Sequence, residues 1–128
     1  MTQPPEHDEQ AAHFELIAYK RNQNPEWGMI FAIPNGGDRH PAVGAKMKAE
    51  GVQRGVPDIF LASPRGHHHG LFIEMKVHPN KPTPAQRGWL TNLSARGYKS
   101  VVCYGAEDAI AEIERYLSQG RRAVEVDE

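Results

Sequence analysis

An α/β fold is predicted by three observations. Short apolar runs of strand length alternate with segments of helical period. Two of those runs, Ile59-Phe60-Leu61-Ala62 and Leu71 to Val77, flank the turn-forming stretch Ser63 to Gly70 and so read as a hairpin. Thr83-Pro84-Ala85-Gln86 then combines a Thr N-cap, a Pro in the first turn and a Gln three residues after the cap, which marks a helix start before another apolar run, Tyr98 to Tyr104.

Taken in order, Asp8 to Arg21 predicts an amphipathic helix with Ala11, Phe14, Ile17 and Ala18 on one face. Met29 to Ile33 predicts a first strand, stopped by Pro34 and the glycines that follow. Ala42 to Glu50 reads as a helix closed by Gly51. After the hairpin, the helix from Thr83 runs to about Arg96 with Trp89, Leu90 and Leu93 inward, and Gly97 closes it. The last strand, Tyr98 to Tyr104, leads into a helix over Ala106 to Leu117 that buries Ile110, Ile113 and Leu117. Residues 1–6 and 119–128 read as flexible ends of a single domain spanning residues 1–128.

Composition narrows the function. The single cysteine, Cys103, lies in the apolar run Val101 to Tyr104, so it reads as a buried strand residue in a reducing, cytoplasmic setting. No stretch approaches the roughly 20 apolar residues of a membrane helix, and a soluble protein without a membrane partner is expected. The net charge of −1 hides a strong asymmetry: residues 16–104 hold twelve bases against five acids, between two acidic ends. A basic centre suits phosphate contact and implies binding that weakens with salt.

The chemistry centres on Asp58, Glu74 and Lys76. Side chains alternate along a strand, so Glu74 and Lys76 project from one face while Met75 points to the other. Pairing of the hairpin strands brings Asp58 beside Glu74. Two adjacent carboxylates repel unless a cation lies between them, and a hard ion such as Mg²⁺ or Mn²⁺ prefers oxygen ligands at about 2.1 Å. Such an ion acidifies a bound water and polarises a phosphate oxygen, and Lys76 adds positive charge toward the same phosphate. An isolated Glu-x-Lys is most often a solvated salt bridge. The preceding Pro57-Asp58, the hairpin spacing and the apolar flanks Leu71-Phe72-Ile73 and Val77 favour the catalytic reading here; Val77 itself receives no metal role.

The string Gly55-Val56-Pro57-Asp58-Ile59-Phe60-Leu61 followed by Gly70-Leu71-Phe72-Ile73-Glu74-Met75-Lys76 resembles the PD-(D/E)XK nuclease superfamily, and within it the small stand-alone VRR-NUC domains of phages and bacteria. The resemblance extends through Ile33 to Gly37, Val43 to Lys46, Lys81 to Gln86 and Gly97-Tyr98, roughly from His7 to Leu117. It implies a restriction-endonuclease-like core, a mixed β-sheet flanked by helices. It also implies a divalent-metal DNA endonuclease, a homodimer acting on branched DNA such as four-way (Holliday) junctions. Glu9 matches the first-helix glutamate that completes the metal site, with Glu15 as fallback; the two are six apart and cannot serve one site. For Glu9 the structural alternative is a favourable charge near a helix N-terminus. Gln86 matches a residue supporting the catalytic lysine or the phosphate, beside its capping-box role.

Remaining candidates concern DNA contact. Asn35-Gly36-Gly37-Asp38-Arg39 is a turn whose backbone, with Arg39, can approach a phosphate, or a plain loop. Lys46, Lys48 and Arg54 lie on the approach to Asp58 and are phosphate contacts or a solvated face. Trp89 reads as core rather than as a stacking platform. His67-His68-His69 cannot easily converge on one tetrahedral zinc and reads as a polar hairpin tip. The rival from another class is a DNA-binding or assembly module that keeps the fold without cutting; within enzymes, restriction-like or RNA-cutting nucleases remain.

Overall fold

The computed structural model describes residues 6–34, 45, 46 and 48–121, with residues 6–10 described by their backbone alone. Helix α1 spans Glu6–Arg21, and a 3₁₀ helix over Pro25–Met29 leads into β1, Ile30–Ala32. Strands β2 (Ile59–Leu61) and β3 (Leu71–Lys76) follow, then α2 (Pro84–Ala95), β4 (Lys99–Tyr104) and α3 (Ala106–Leu117). The expected α/β architecture is observed: a four-stranded mixed sheet in the order β1-β2-β3-β4, antiparallel except for the parallel pair β3 and β4. Of the helix expected over residues 42–50, residues 42–44 and 47 lie outside the described residues. Ala45, Lys46, Lys48 and Ala49 are helical, and the Gly51 N–H donates to the Lys48 carbonyl at 3.0 Å.

One face of the sheet carries the core. Ile30, Ile59, Leu61, Leu71, Ile73, Met75 and Cys103 pack against Ile17 of α1, Trp27 of the 3₁₀ helix and Ala109, Ile113 and Tyr116 of α3. Burial at these positions follows the two-residue period of β2 and β3, whose register pairs Ile59 with Ile73 and Leu61 with Leu71. Cys103 is free and buried, and burial pushes its thiol pKa up to about 12.

Helices α1 and α3 turn a slightly different side inward from that expected. In α1 the buried positions are His13 and Ile17, with Phe14 packed beside them, while Ala11 and Ala18 are exposed. At about 100° per residue the two alanines stand about 100–120° round from Ile17, and the larger side chains take the core. In α3, Ala109, Ile113 and Tyr116 are buried, whereas Ile110 and Leu117 only flank the core. Trp89, Leu90 and Leu93 of α2 are half-buried, because α2 supplies no member of the main cluster. The capping box is present as read: the Gln86 N–H donates to Thr83 Oγ1 at 3.2 Å and the Thr83 N–H to Gln86 Oε1 at 2.9 Å.

A polar network absent from the sequence reading fastens the β2–β3 loop to the core. The Ser63 hydroxyl donates to Glu26 Oε2 at 2.6 Å, and Arg65 Nη1 donates to the Ser63 Oγ at 2.7 Å. The Tyr116 hydroxyl donates to the Ser63 carbonyl at 2.6 Å. The Ser63 hydroxyl, together with Arg121 and Arg65, holds the Glu26 carboxyl below the usual range against the opposing effect of burial. Residues 119–121, expected to fray, are held: the Gly66 N–H donates to the Gly120 carbonyl at 2.9 Å and Arg121 pairs with Glu26 at 3.0 Å. Residues 122–128 lie outside the described residues.

His13 is a buried titratable group, and neither ring nitrogen has a hydrogen-bond partner among the described residues. Burial lowers its pKa from 6.5 to about 4. The unfolded chain therefore takes up this proton near pH 6.5 and the folded chain only near 4, so stability is complete above 6.5 and is lost as pH falls from 6.5 toward 4. The loss from this one group reaches about 3 kcal/mol. His13→Leu should remove that component, so the drop in urea midpoint between neutral pH and about pH 5 becomes smaller than in the wild type. Equal drops in both proteins would assign the acid sensitivity to other groups.

Candidate active site

Asp58 is delivered to the sheet by a constrained lead-in. Gly55 adopts φ +89°, and a Cβ there would stand 2.9 Å from the Ala85 backbone at the start of α2. A side chain is excluded twice, by the left-handed backbone and by this contact. Trp89 reinforces the same junction, its indole N–H donating to the Arg54 carbonyl at 3.2 Å. Pro57 is fully buried, and Asp58 stands immediately before the start of β2.

There Asp58 closes two ladders. Its carbonyl accepts the Ile33 N–H at 2.7 Å, and its side-chain Oδ2 accepts the Met75 N–H at 2.8 Å. The register that pairs Ile59 with Ile73 continues to set Asp58 opposite Glu74, on the face shared by Phe60 and Phe72. A carboxylate held by a backbone amide has lost most of its rotamer freedom, so its position against β3 is fixed before any ligand arrives.

Glu74 and Lys76 lie in β3, an interior strand between β2 and β4, with Val102 and Tyr104 as their neighbours on β4. Their exposures are 1% and 7%, so both charged side chains are buried. Buried charges are tolerated only when opposite charge and hydrogen bonds compensate them. Asp58, Glu74 and Lys76 thus bring two acids and a lysine to one face of the neighbouring interior strands β2 and β3. Tyr104 is itself anchored: its hydroxyl donates to the Asn80 carbonyl at 3.1 Å, its N–H donates to Asp108 Oδ2 at 2.9 Å, and His78 stacks on its ring at 4.0 Å.

The VRR-NUC domain model matches residues 9–107, which contain the whole of this site. The chain belongs to the VRR-NUC family. A solved structure described as a VRR_NUC domain protein is 28% identical, covers 94% of each chain and superposes with a TM-score of 0.77. No curated protein matches the chain. Membership assigns a nuclease-type function and, with the mixed sheet, the restriction-endonuclease-like PD-(D/E)XK fold.

The other candidate residues of this VRR-NUC chain are placed as follows. Glu9 lies within α1, four positions and about one turn ahead of buried His13, and its side chain is outside the described residues; Glu15 is exposed. Gln86 spends its amide oxygen on the capping box. Asn35, Gly36, Gly37 and Arg39 lie outside the described residues, while Lys46, Lys48 and Arg54 are exposed. His67 and His69 are exposed at the hairpin tip, where Arg65 and His68 form the closing bridge. Among the described residues no three His, Cys, Asp or Glu side chains form a metal-binding group, and no helix is long and apolar enough to cross a membrane. Two carboxylates still match the chemistry of Mg²⁺, which keeps several waters and takes one or two protein carboxylates together with substrate phosphate oxygens.

Because Gly55 sets the path into Asp58, Gly55→Ala should destabilise the protein by about 1–3 kcal/mol through backbone strain and the Ala85 clash. The urea midpoint measures it. Gly88→Ala, where a Cβ meets nothing within 4 Å, is the control and should match or exceed wild-type stability.

Proposed function

We propose that this VRR-NUC protein is a divalent-metal-dependent DNA endonuclease that hydrolyses phosphodiester bonds of branched DNA, such as four-way junctions, as a homodimer. The observation that carries the reading is the Asp58 carboxylate, clamped by the Met75 N–H opposite Glu74 and on the face that carries Lys76. Asp58 and Glu74 would hold Mg²⁺ or Mn²⁺, with Glu9 of α1 completing the set. When bound, the ion supplies a water of lowered pKa and polarises a phosphate oxygen.

The chain's own groups do the rest. The Asp58 carboxylate, held by the Met75 N–H, and the Glu74 carboxylate opposite it would present the oxygens that hold such an ion. Lys76, fixed at the third position of the same strand face, neutralises the charge that grows on the phosphoryl oxygens and orients the attacking water. Its burial excludes competing solvent, so its ammonium acts at low local dielectric. Gln86 supports the phosphate through its amide nitrogen. Lys46, Lys48 and Arg54, with Asn35, Gly36, Gly37 and Arg39, contact the DNA backbone along the strand's path and position it without reading sequence. One chain carries one such site, so symmetrical cutting of a junction calls for two copies about a twofold axis. A reducing cytoplasm, bacterial or phage-infected, suits a chain whose only thiol is buried and free.

Labelled four-way, flap and linear DNAs incubated with Mg²⁺, Mn²⁺ or EDTA test the reading. Cleavage of the branched substrates in either metal and none in EDTA is expected; metal-independent gel shifts without cutting would instead identify a non-cleaving binding module. Lys76→Ala should lower the cleavage rate by about 10²–10³-fold with little change in DNA affinity. Unchanged cleavage in that variant would move the chemistry to other residues. Sedimentation showing only a 14.3 kDa species at micromolar concentration would remove the homodimer.

A further inference from the structure

The sheet face that bears Asp58, Glu74 and Lys76 carries a second feature that the phosphodiester chemistry does not use. Phe31, Phe60 and Phe72 lie in register across β1, β2 and β3, each directly opposite the next. The Phe60 and Phe72 rings stack at 4.2 Å with an interplanar angle of 20°, and Phe31 meets Phe60 edge-on at 5.6 Å and 87°. Tyr98 closes the far end, 5.3 Å from Phe72. Gly70 makes the row possible, since a Cβ at that position would come within 2.6 Å of the Phe60 ring. The row is therefore rigid, and it opens outward at one end, where Phe31 is 49% exposed.

An exposed phenylalanine by itself is ordinary. This one is placed. Phe60 and Phe72 lie one two-residue repeat from the carboxylate pair, about 7 Å along the antiparallel strands, and Phe31 lies one strand further across at about 4.8 Å. A nucleic acid strand whose phosphate sits at Asp58 and Glu74 has its neighbouring bases within reach of that row. Bases that are unpaired at a branch point, and so splayed from the duplex stack, lose a stacking partner that an aromatic face replaces without regard to sequence.

The geometry points to Phe31, held upright by Phe60 and Phe72, as a stacking platform for an unpaired base adjoining the scissile phosphate. The inference rests on the nucleic-acid substrate of the proposed function and extends it, because it makes recognition of a branch depend on an aromatic side chain rather than on cations alone. The edge-on contact with Phe60 keeps the Phe31 ring from collapsing onto the sheet, which is the pre-organisation a stacking surface needs.

The test uses the full chain in EDTA, with fluorescence anisotropy of a single-stranded dT oligonucleotide and of an abasic strand of equal length and charge. Wild type should prefer the base-bearing strand. Phe31→Ala and Phe31→Leu should each lose about tenfold in affinity for that strand and be unchanged on the abasic one, and Phe31→Tyr should restore binding. Equal affinity of wild type for both strands, full binding by Phe31→Leu, or an equal loss on both strands overturns the platform. So does conversion of a dimer to a monomer by Phe31→Ala with base-dependent binding intact, since the occupant of the face is then a second copy of the chain. Cleavage assays in Mg²⁺ and Mn²⁺ on the same preparations separate the two readings. Cutting without base preference sinks the platform and leaves the nuclease, whereas base-dependent binding without cutting sinks the nuclease and leaves the platform.

Discussion

The Asp58 carboxylate accepts the Met75 N–H at the point where the β2–β3 ladder ends, and the candidate site takes its geometry from that bond. It stands in for a backbone carbonyl, so it satisfies a donor of β3 that would otherwise face the interior. It also commits the aspartate to a position opposite Glu74. A shift of register by one residue would turn Glu74 and Lys76 into the apolar core and Met75 out of it, so the packing of Ile59, Leu61, Leu71 and Ile73 enforces the site as strictly as the fold.

The two faces of the sheet divide the labour. On one, aliphatic side chains close against α1 and α3 and supply the burial that stabilises the chain. On the other, buried charge at the carboxylate end gives way to an aromatic row that reaches solvent at Phe31. Burying Glu74 and Lys76 costs desolvation energy, and only a well-packed scaffold on the opposite face can carry such a cost. The same arrangement makes electrostatic interactions within the site strong, because little water remains to screen them.

The scaffold also restrains the loops around the site. Gly55, Ala85 and Trp89 lock the approach to Asp58 onto the start of α2, while Glu26, Ser63, Arg65 and Tyr116 lock the β2–β3 loop on the far side of the hairpin. The hairpin is thereby held at both ends. Small displacements of a carboxylate are costly for positioning chemistry, and a site built on strands braced in this way limits them.

Local pattern was enough to read most elements, because strand alternation, the capping box at Thr83 and the turn residues of 63–70 are encoded within a few residues of one another. The shared face of Glu74 and Lys76 follows from the two-residue period alone, and the hairpin spacing brings Asp58 beside them. Which side of α1 faces inward required the assembled core: α1 packs chiefly against α3 and the 3₁₀ helix, and there His13, rather than the expected alanines, is buried beside Ile17. The Glu26–Ser63–Arg65 network joins segments 37 and 39 residues apart, beyond any local signal. The alignment of Phe31 with Phe60 and Phe72 likewise depends on strand order and register, which are decided by long-range packing rather than by neighbours in the chain.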